Sequence, residues 1–190
     1  VQPTHIINGV ENDNMIRDVL EFKDLFEKIS FGKPLLTDDI DYENIVEIVS
    51  KDIFDDINLL KDIDLAQENN TALILMGHGT DHHINVAYAA LDYRFKAMDF
   101  ENVYVAAVEG YPYIETVLKQ IKNKNFKKIV LMPLMIVAGE HAKEDMAGEE
   151  ENSWKSLFEK EGYEVYTILK GLGEYRSIRE RFIKSVEELF

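Results

Sequence analysis

Two histidines and one glutamate follow apolar runs that have the composition of buried β-strands. The runs that precede His78, Glu109 and His141 are, in that order, residues 72–76, 103–108 and 129–137. Two imidazoles and one carboxylate suit a divalent metal such as Zn²⁺, Co²⁺, Ni²⁺ or Fe²⁺. Three protein ligands would leave a coordination position open, so the pattern predicts a metal site at which chemistry can occur.

The same residues also admit structural interpretations. His78 could cap the helix that begins after Gly79, while Glu109 and His141 could be ordinary loop residues. A second metal hypothesis is a local cluster of His78, Asp81 and His82. It is the weaker one, because the positive end of the following helix dipole disfavours a cation.

The acidic run at residues 140–151 offers a further hypothesis. If this run is helical, His141, Asp145 and Glu149 share one face at a spacing of four residues. That face could pass a hydrated cation to His141. A solvated acidic helix start is the more ordinary interpretation of the same run.

The elements that must position these residues alternate along the chain. Amphipathic stretches predict helices at residues 82–97, 113–124, 154–160 and 176–189, and a fourth apolar run predicts a strand at 163–169. Nearly continuous apolar strands that alternate with helices are typical of a parallel α/β sheet covered on both faces. Ligands of such sheets bind beyond the carboxyl ends of the strands. We therefore expect His78, Glu109 and His141 at one edge of the sheet.

The beginning of the chain has a different pattern. Residues 1–9 read as the end of a strand that runs into a loop, and residues 12–29 have helical spacing of apolar side chains. Thr37 and Asp38 can cap a second helix. An acidic, amide-rich stretch then has no clear period. We interpret residues 1–62 as one lobe, 63–70 as a linker and 71–190 as a C-terminal α/β lobe.

Composition excludes several classes of function. The 190 residues include 21 basic and 36 acidic side chains, for a net charge of −15, which argues against nucleic acids and anionic membranes as partners. Cysteine is absent, which excludes disulfides, thiolate zinc sites and a cysteine nucleophile. A Walker loop and a Gly-x-Ser-x-Gly nucleophile elbow are also absent. The first twenty residues lack the features of a signal peptide, and we expect a cytoplasmic protein.

Several segments of the chain resemble the anaerobic sirohydrochlorin cobaltochelatases. The segments that carry the resemblance include Met-Gly-His-Gly-Thr-Asp-His-His at 76–83, Val-Glu-Gly-Tyr-Pro at 108–112, the run at 131–142 and the opening His-Ile-Ile-Asn-Gly-Val-Glu at 5–11. The resemblance implies a class II chelatase fold, related to ferrochelatase, with two Rossmann-like lobes around a cleft. Members of this family carry a further N-terminal stretch. The first lobe is therefore expected to be incomplete here, with the last helix packing back on it.

The resemblance also implies an activity and a set of site residues. It implies insertion of Co²⁺ into sirohydrochlorin in cobalamin biosynthesis, without ATP and with no cofactor beyond the metal, although Ni²⁺ or Fe²⁺ would suit the same ligands. His78 and His141 would bind the metal and help to remove pyrrole protons, Glu109 would be the third ligand, and Glu11 would line the cleft from the other lobe. An oligomer is possible.

Two other functions use the same residues. A metal-dependent hydrolase could activate water at the His/Glu site, and a non-catalytic carrier could bind the metal or a tetrapyrrole without insertion. The carboxylates of sirohydrochlorin also require cations near the cleft of so acidic a chain. The candidates for that role are Arg94, Lys143, Lys155, Lys170 and Arg176.

Overall fold

A parallel sheet forms the middle of the molecule. The computed structural model describes residues 1–60, 63, 65 and 70–190. The strands are β1 (Thr71–Gly79), β2 (Val103–Glu109), β3 (Lys128–Pro133) and β4 (Glu164–Thr167), and their order in the four-stranded sheet is β2-β1-β3-β4. All neighbouring pairs are parallel. The predicted α/β class with a parallel sheet and flanking helices is therefore confirmed.

Helices cover the sheet and lead into it. The α-helices are α1 (Val10–Leu20), α2 (Asp39–Ile48), α3 (Phe54–Asn58), α4 (Val86–Ala97), α5 (Ile114–Ile121), α6 (Trp154–Lys160) and α7 (Arg176–Glu187). A wide π-helical turn at Val49–Ile53 joins α2 to α3, and another at Ala142–Met146 follows β3. Short 3₁₀ turns precede α4 at His83–Asn85 and α7 at Leu172–Glu174. Within the described residues, no helix has the length and apolar character needed to cross a membrane.

The two faces of the sheet bury separate apolar clusters. Leu73 and Leu75 of β1 point to the face that carries α2, α4 and the N-terminal segment, while Ile74 and Met76 point to the face that carries α5 and α6. Successive residues of a strand point to opposite sides of the sheet. Because both sides are covered here, all four side chains are fully buried. Burying one such side chain stabilises the fold by about 1.5–3 kcal/mol. This burial on both faces explains why the strands are almost continuously apolar.

The third strand is shorter than the sequence predicted. The expectation of a strand over residues 129–137 was wrong at its end, because β3 stops at Pro133, which has no N–H to continue the ladder. The next residues form a loop whose backbone bonds neighbouring segments: Leu134 N donates to Met76 O at 2.7 Å, and Met135 O accepts from Leu172 N at 2.7 Å. Their apolar side chains belong to a packed loop rather than to a strand.

The opening of the chain also departs from the prediction. The helix expected over residues 12–29 begins at Val10 and ends at Leu20, and a 3₁₀ turn follows at Lys23–Leu25. Phe22 and Phe26 are more than half exposed, so a longer helix would gain little stabilisation from the burial of these side chains. The opening strand amounts to one parallel bridge between Ile7 and Leu36.

The last helix contacts the N-terminal segment. Arg181 Nη2 lies 2.5 Å from Asp41 Oδ1 on α2, and Asp41 is buried. Lys33 N donates to Ser185 Oγ at 2.8 Å, and Ser177 donates to Asp52. Most of the predicted linker at 63–70 lies outside the described residues, and the division into lobes stays a prediction.

Candidate metal centre

His78, Glu109 and His141 lie together at the carboxyl edge of the sheet. One imidazole nitrogen or carboxylate oxygen from each residue lies within 4.8 Å of those of the other two. The rings of His78 and His141 are nearly perpendicular, with centroids 4.6 Å apart. An ion of zinc size sits about 2.1 Å from each ligand atom, which in tetrahedral geometry separates two ligand atoms by about 3.4 Å. Small side-chain movements are therefore sufficient to close these three residues around one ion. We call His78, Glu109 and His141 the metal site.

The first two members are brought together by the pairing of β1 with β2. Gly79 is the last residue of β1 and pairs with Glu109, the last residue of β2. The φ angle of Gly79 is +88°, and a Cβ atom there would lie 1.7 Å from the carbonyl oxygen of Glu109. Only glycine permits this conformation together with so close an approach. Gly79 therefore holds His78 beside Glu109.

A buried tyrosine packs against the same strand end. A Cβ atom on Gly77 would lie 2.3 Å from the ring of Tyr88 on α4, so helix and strand meet directly beneath His78. Burial raises the pKa of the Tyr88 hydroxyl, although hydrogen bonds with the backbone of Gly79 and His78 oppose that rise. Tyr88 is thus an uncharged side chain that packs against β1 next to His78.

His141 reaches the site from the loop after β3. It immediately precedes the π-helical turn Ala142–Met146, a widened helical geometry that is frequent at functional sites. Its Nδ1 lies 2.5 Å from Asp145 Oδ2. When Nδ1 donates this hydrogen bond, the carboxylate fixes the ring and leaves Nε2 for a metal. Asp145 therefore orients the ring of His141, whereas the sequence suggested that Asp145 belongs to a face that passes a cation to His141.

His78 has a comparable partner on the backbone. Its Nδ1 lies 3.1 Å from the carbonyl oxygen of Gly79. A proton on Nδ1 makes that contact a hydrogen bond and leaves Nε2 as the free nitrogen. Both imidazoles can therefore present the same atom, Nε2, to a shared ion.

Glu11 lies outside this group of three. It occupies the first turn of α1 and is exposed. The start of α1 is close to the segment that follows β1, since a Cβ atom on Gly9 would lie 3.6 Å from Ile84. The structure thus places Glu11 on a helix that begins beside the loop after His78.

The predicted local cluster of His78, Asp81 and His82 is not formed. Among the described residues, the one group of three or more metal-ligating side chains that meets is His78, Glu109 and His141, without Asp81 or His82. His82 Nδ1 instead accepts a hydrogen bond from Ile84 N at 3.4 Å and caps the 3₁₀ turn. Further along the acidic run, Glu149 pairs with Lys155 at 2.6 Å.

The candidate cations are mostly committed to acidic neighbours. Arg94 pairs with Asp39 and Glu43, and the remaining ion pairs are Lys155–Glu149, Lys170–Asp56 and Arg176–Glu180. Lys143 is exposed and lies two residues after His141. It is the candidate that follows a metal-site residue most closely in the chain.

Sequence reasoning missed a buried amide between the loops. Asn85 is 8% exposed, and its side chain bonds the backbone of both the segment after β1 and the segment after β2. An asparagine near a helix start normally signals an N-cap. Because the amide joins Thr80 to Tyr111, which lie on two different loops, no local pattern could have revealed this bridge.

Comparison with known proteins gives consistent matches over the whole chain. The family model described as Cobalt chelatase (CbiK) matches residues 1–190. The sirohydrochlorin cobaltochelatase of Salmonella typhimurium is 33% identical over 188 residues, which are 99% of this chain and 67% of that protein. The sirohydrochlorin cobaltochelatase CbiKC of Nitratidesulfovibrio vulgaris is 32% identical over 177 residues, 92% of this chain and 59% of that relative.

A solved structure shares the fold. The structure described as SirB from Bacillus subtilis with Fe³⁺ aligns with a TM-score of 0.68 over 99% of this chain and 69% of its own. Its sequence is only 16% identical. At that identity the likeness speaks for the arrangement of elements and not for the chemistry.

Proposed function

The chain belongs to the CbiK cobalt chelatase family, and we propose that it inserts Co²⁺ into sirohydrochlorin. The observation that carries the proposal is the convergence of His78, Glu109 and His141 within 4.8 Å at the carboxyl edge of the sheet. Two imidazoles and a carboxylate are ligands that Co²⁺ accepts. Ni²⁺ and Fe²⁺ suit the same donors and are the competing metals in any assay.

An open site fits the task of giving a metal away. Structural metal sites in proteins close around the ion with four protein ligands, whereas sites with three leave a position for another molecule. His78 and Glu109 are exposed and His141 is half-buried, so a macrocycle can approach the ion from solvent. Pyrrole nitrogens can then replace the protein ligands one at a time.

Insertion also requires that two pyrrole N–H protons leave. An imidazole with a pKa near 6.5 can accept a proton at neutral pH. A histidine bound to the metal cannot be a free base at the same moment, so the two roles alternate or belong to different residues. We assign His78, His141 and the exposed carboxylate of Glu11 to proton removal. Glu11 is included because α1 begins beside the loop that follows His78.

The substrate must also be attracted to an acidic protein. Sirohydrochlorin carries several carboxylates, and the chain has a net charge of −15. We propose that Lys143, exposed and two residues after His141, contacts one of these carboxylates. We also retain the division into a first lobe, 1–62, and a C-terminal lobe, 71–190, with a cleft between them at which Glu11 and the metal site meet.

The experiment is an anaerobic absorbance assay of sirohydrochlorin with Co²⁺. We expect a rate above the protein-free blank, and a loss of about 100-fold or more in His78→Ala and in His141→Ala, since each variant loses a ligand and a base. His83→Ala is the matched control, because His83 is an exposed histidine of the same loop that lies outside the metal site.

Circular dichroism should show that every variant is folded. Wild-type turnover in His78→Ala, or a wild-type rate equal to the blank, would contradict the proposed function.

A further inference from the structure

The first two metal-site residues lie at the ends of their strands, where the sheet contacts of both segments stop. The pairing of β1 with β2 ends at Gly79 and Glu109. Beyond it the chain turns toward α4 on one side and toward α5 on the other. The ladder holds His78 and Glu109 at its last rungs, and contacts between the two loops beyond it can further restrain their spacing.

One buried side chain makes that connection. Asn85 Oδ1 accepts a hydrogen bond from Thr80 N at 3.0 Å, and Asn85 Nδ2 donates to Tyr111 O at 2.5 Å. Thr80 comes directly after β1, and Tyr111 comes two residues after Glu109. A single amide thus bridges the backbone of both loops, with its acceptor facing a donor and its donor facing an acceptor.

The packing around the amide leaves little freedom. Gly110 has a φ angle of +101°, and a Cβ atom there would lie 2.8 Å from Asn85 Nδ2 and 3.1 Å from Thr80 O. Asn85 N donates to His82 O at 2.9 Å, which closes the first loop on itself. The second loop is closed by the hydrogen bond from Ala107 N to Pro112 O at 2.8 Å. The amide therefore connects two loops that are each already folded.

The side chain of Asn85 does not perform the usual task of an asparagine at this position. Asn85 immediately precedes α4, yet its side chain makes no hydrogen bond to the first turn of that helix. The amide instead makes one accepted and one donated hydrogen bond to the two loops beside the metal site. Helix capping does not account for the residue.

We propose that Asn85 is a positioning residue for the metal site: its amide ties together the loops that directly follow His78 and Glu109 and so keeps the two strand ends at a fixed separation. This inference rests on the proposed function, because it assumes that these residues hold the metal. Replacing the amide would widen the site and weaken metal binding while leaving all three ligands in place. Outer partners of metal ligands typically contribute about 10-fold to 100-fold in affinity.

The opposite edge of the same strand pair supplies a matched control. Asn102 precedes β2, and its Nδ2 donates to Leu65 O at 3.0 Å and to Thr71 O at 3.2 Å. Like Asn85, Asn102 is an amide that bridges two backbone segments, although both of its bonds go to carbonyl oxygens, and it lies at the amino ends of the strands. Asn102→Asp therefore removes the same kind of bond far along the strands from His78.

The test measures the Co²⁺ dissociation constant of the full chain by anaerobic titration calorimetry. Asn85→Asp replaces the donor to Tyr111 O by a carboxylate oxygen, and Asn85→Ser shortens the side chain without adding charge. We expect both to weaken Co²⁺ binding about 10-fold or more. Asn102→Asp should lower the melting temperature but leave the dissociation constant within about twofold of the wild type.

Each outcome bears on a different statement. Wild-type affinity in a folded Asn85→Ser protein would overturn the positioning role while leaving the proposed function intact. Equal weakening in Asn102→Asp would also overturn it, because the effect would then follow general stability. Absence of Co²⁺ binding to the wild-type chain would overturn both this inference and the proposed function. If Asn85→Asp does not fold, the Asn85→Ser variant decides.

Discussion

Residues 71–190 and residues 1–60 pack against each other but are organised in different ways. The later region repeats a buried strand, a loop and a helix, and each of its first three strands leads to a metal-site residue. The earlier region contains helices and a single bridge between Ile7 and Leu36. It also leaves Phe22 and Leu25 largely exposed, with Leu25 at 76%. Regular pairing in one region contrasts with isolated contacts in the other.

The difference teaches where the geometry of the site comes from. In the later region, the ladder of β1 with β2 holds His78 and Glu109 at the strand ends, while His141 follows β3 and its ring is held by Asp145. Glu11, in the earlier region, depends on the packing of α1 beside Ile84. We therefore expect substitutions in the later region to affect metal binding, and those in the earlier region to affect turnover or stability alone.

The largest effect should come from closing the space between the two strand ends. Gly79→Ala introduces a Cβ atom 1.7 Å from Glu109 O at a φ angle of +88°. Backbone strain and overpacking together should lower the free energy of unfolding by about 3 kcal/mol. Chemical denaturation measures this loss, and calorimetry should show weaker Co²⁺ binding as well.

Two other glycines separate the causes of that loss. Gly139→Ala meets no atom within 4 Å and should be nearly neutral, while Gly162→Ala has a φ angle of +90° without a clash. We expect Gly162→Ala to lose about 1 kcal/mol. A Gly79→Ala protein as stable as the Gly139→Ala protein would show that the close approach of the strands is not needed.

The next effect tests the earlier region directly. Glu11→Gln removes the exposed carboxylate of α1 without changing its shape. If Glu11 accepts or relays a pyrrole proton, the insertion rate should fall about 100-fold, while the Co²⁺ dissociation constant should stay unchanged. Glu21→Gln, just after α1, is the control. Weaker Co²⁺ binding in Glu11→Gln would break the contrast, because it would make Glu11 a metal ligand.

A smaller effect is expected from the carboxylate behind His141. Asp145 Oδ2 lies 2.5 Å from His141 Nδ1, and Asp145→Asn keeps the shape but loses the charge that orients the ring. We expect the Co²⁺ dissociation constant to rise about 10-fold. Glu149→Gln, four residues further on and paired with Lys155, should leave it unchanged. Equal values for the two variants would reduce Asp145 to an ordinary acidic surface residue.

The smallest effect concerns a contact between the two regions. Asp56 of α3 pairs with Lys170, which follows β4. Burial acts to raise the pKa of Asp56, but the hydrogen bond and charge of Lys170, together with the Tyr175 hydroxyl, outweigh it and lower that pKa below its usual value. The stabilisation is therefore present above the unfolded-state pKa and is lost as the pH falls through the folded-state pKa.

Urea denaturation of wild type and Asp56→Asn should show this dependence. At pH 6 the wild type should be more stable by about 0.5 kcal/mol, the usual size for a partly exposed ion pair, and the difference should shrink as the pH falls below the unfolded-state pKa of about 3.9. Glu47→Gln, at the exposed pair with Lys51, should show no such dependence. A difference that grows as the pH falls would have the wrong sign for this contact.

Much of the later region was predictable because its strands are buried on both faces. Continuous apolar runs located all four strands, and the rule that parallel strands present ligands at their carboxyl ends led to His78, Glu109 and His141. The end of β3 was wrong because loop residues such as Ile136 are also partly buried, and hydropathy does not distinguish a packed loop from a strand.

The remaining features depend on contacts that a sequence does not display. Helical spacing beyond Leu20 suggested a longer α1. The helix ends at Leu20 because the apolar side chains that follow, such as Phe22 and Phe26, are largely exposed. The spacing of His141 and Asp145 indicated a shared face, and the two side chains are in contact, but the spacing did not show that the carboxylate would bond the imidazole. Asn85 left no local signal, because its partners lie on two different loops.

The most direct test of the central claim is Co K-edge X-ray absorption of the Co²⁺-loaded chain. The account predicts scattering from two imidazoles and oxygen ligands in the wild type. It predicts one imidazole fewer in His78→Ala and in His141→Ala, and no change in His83→Ala. An unchanged spectrum in the first two variants, or a lost imidazole in His83→Ala, would show that the metal is bound elsewhere and would contradict the account.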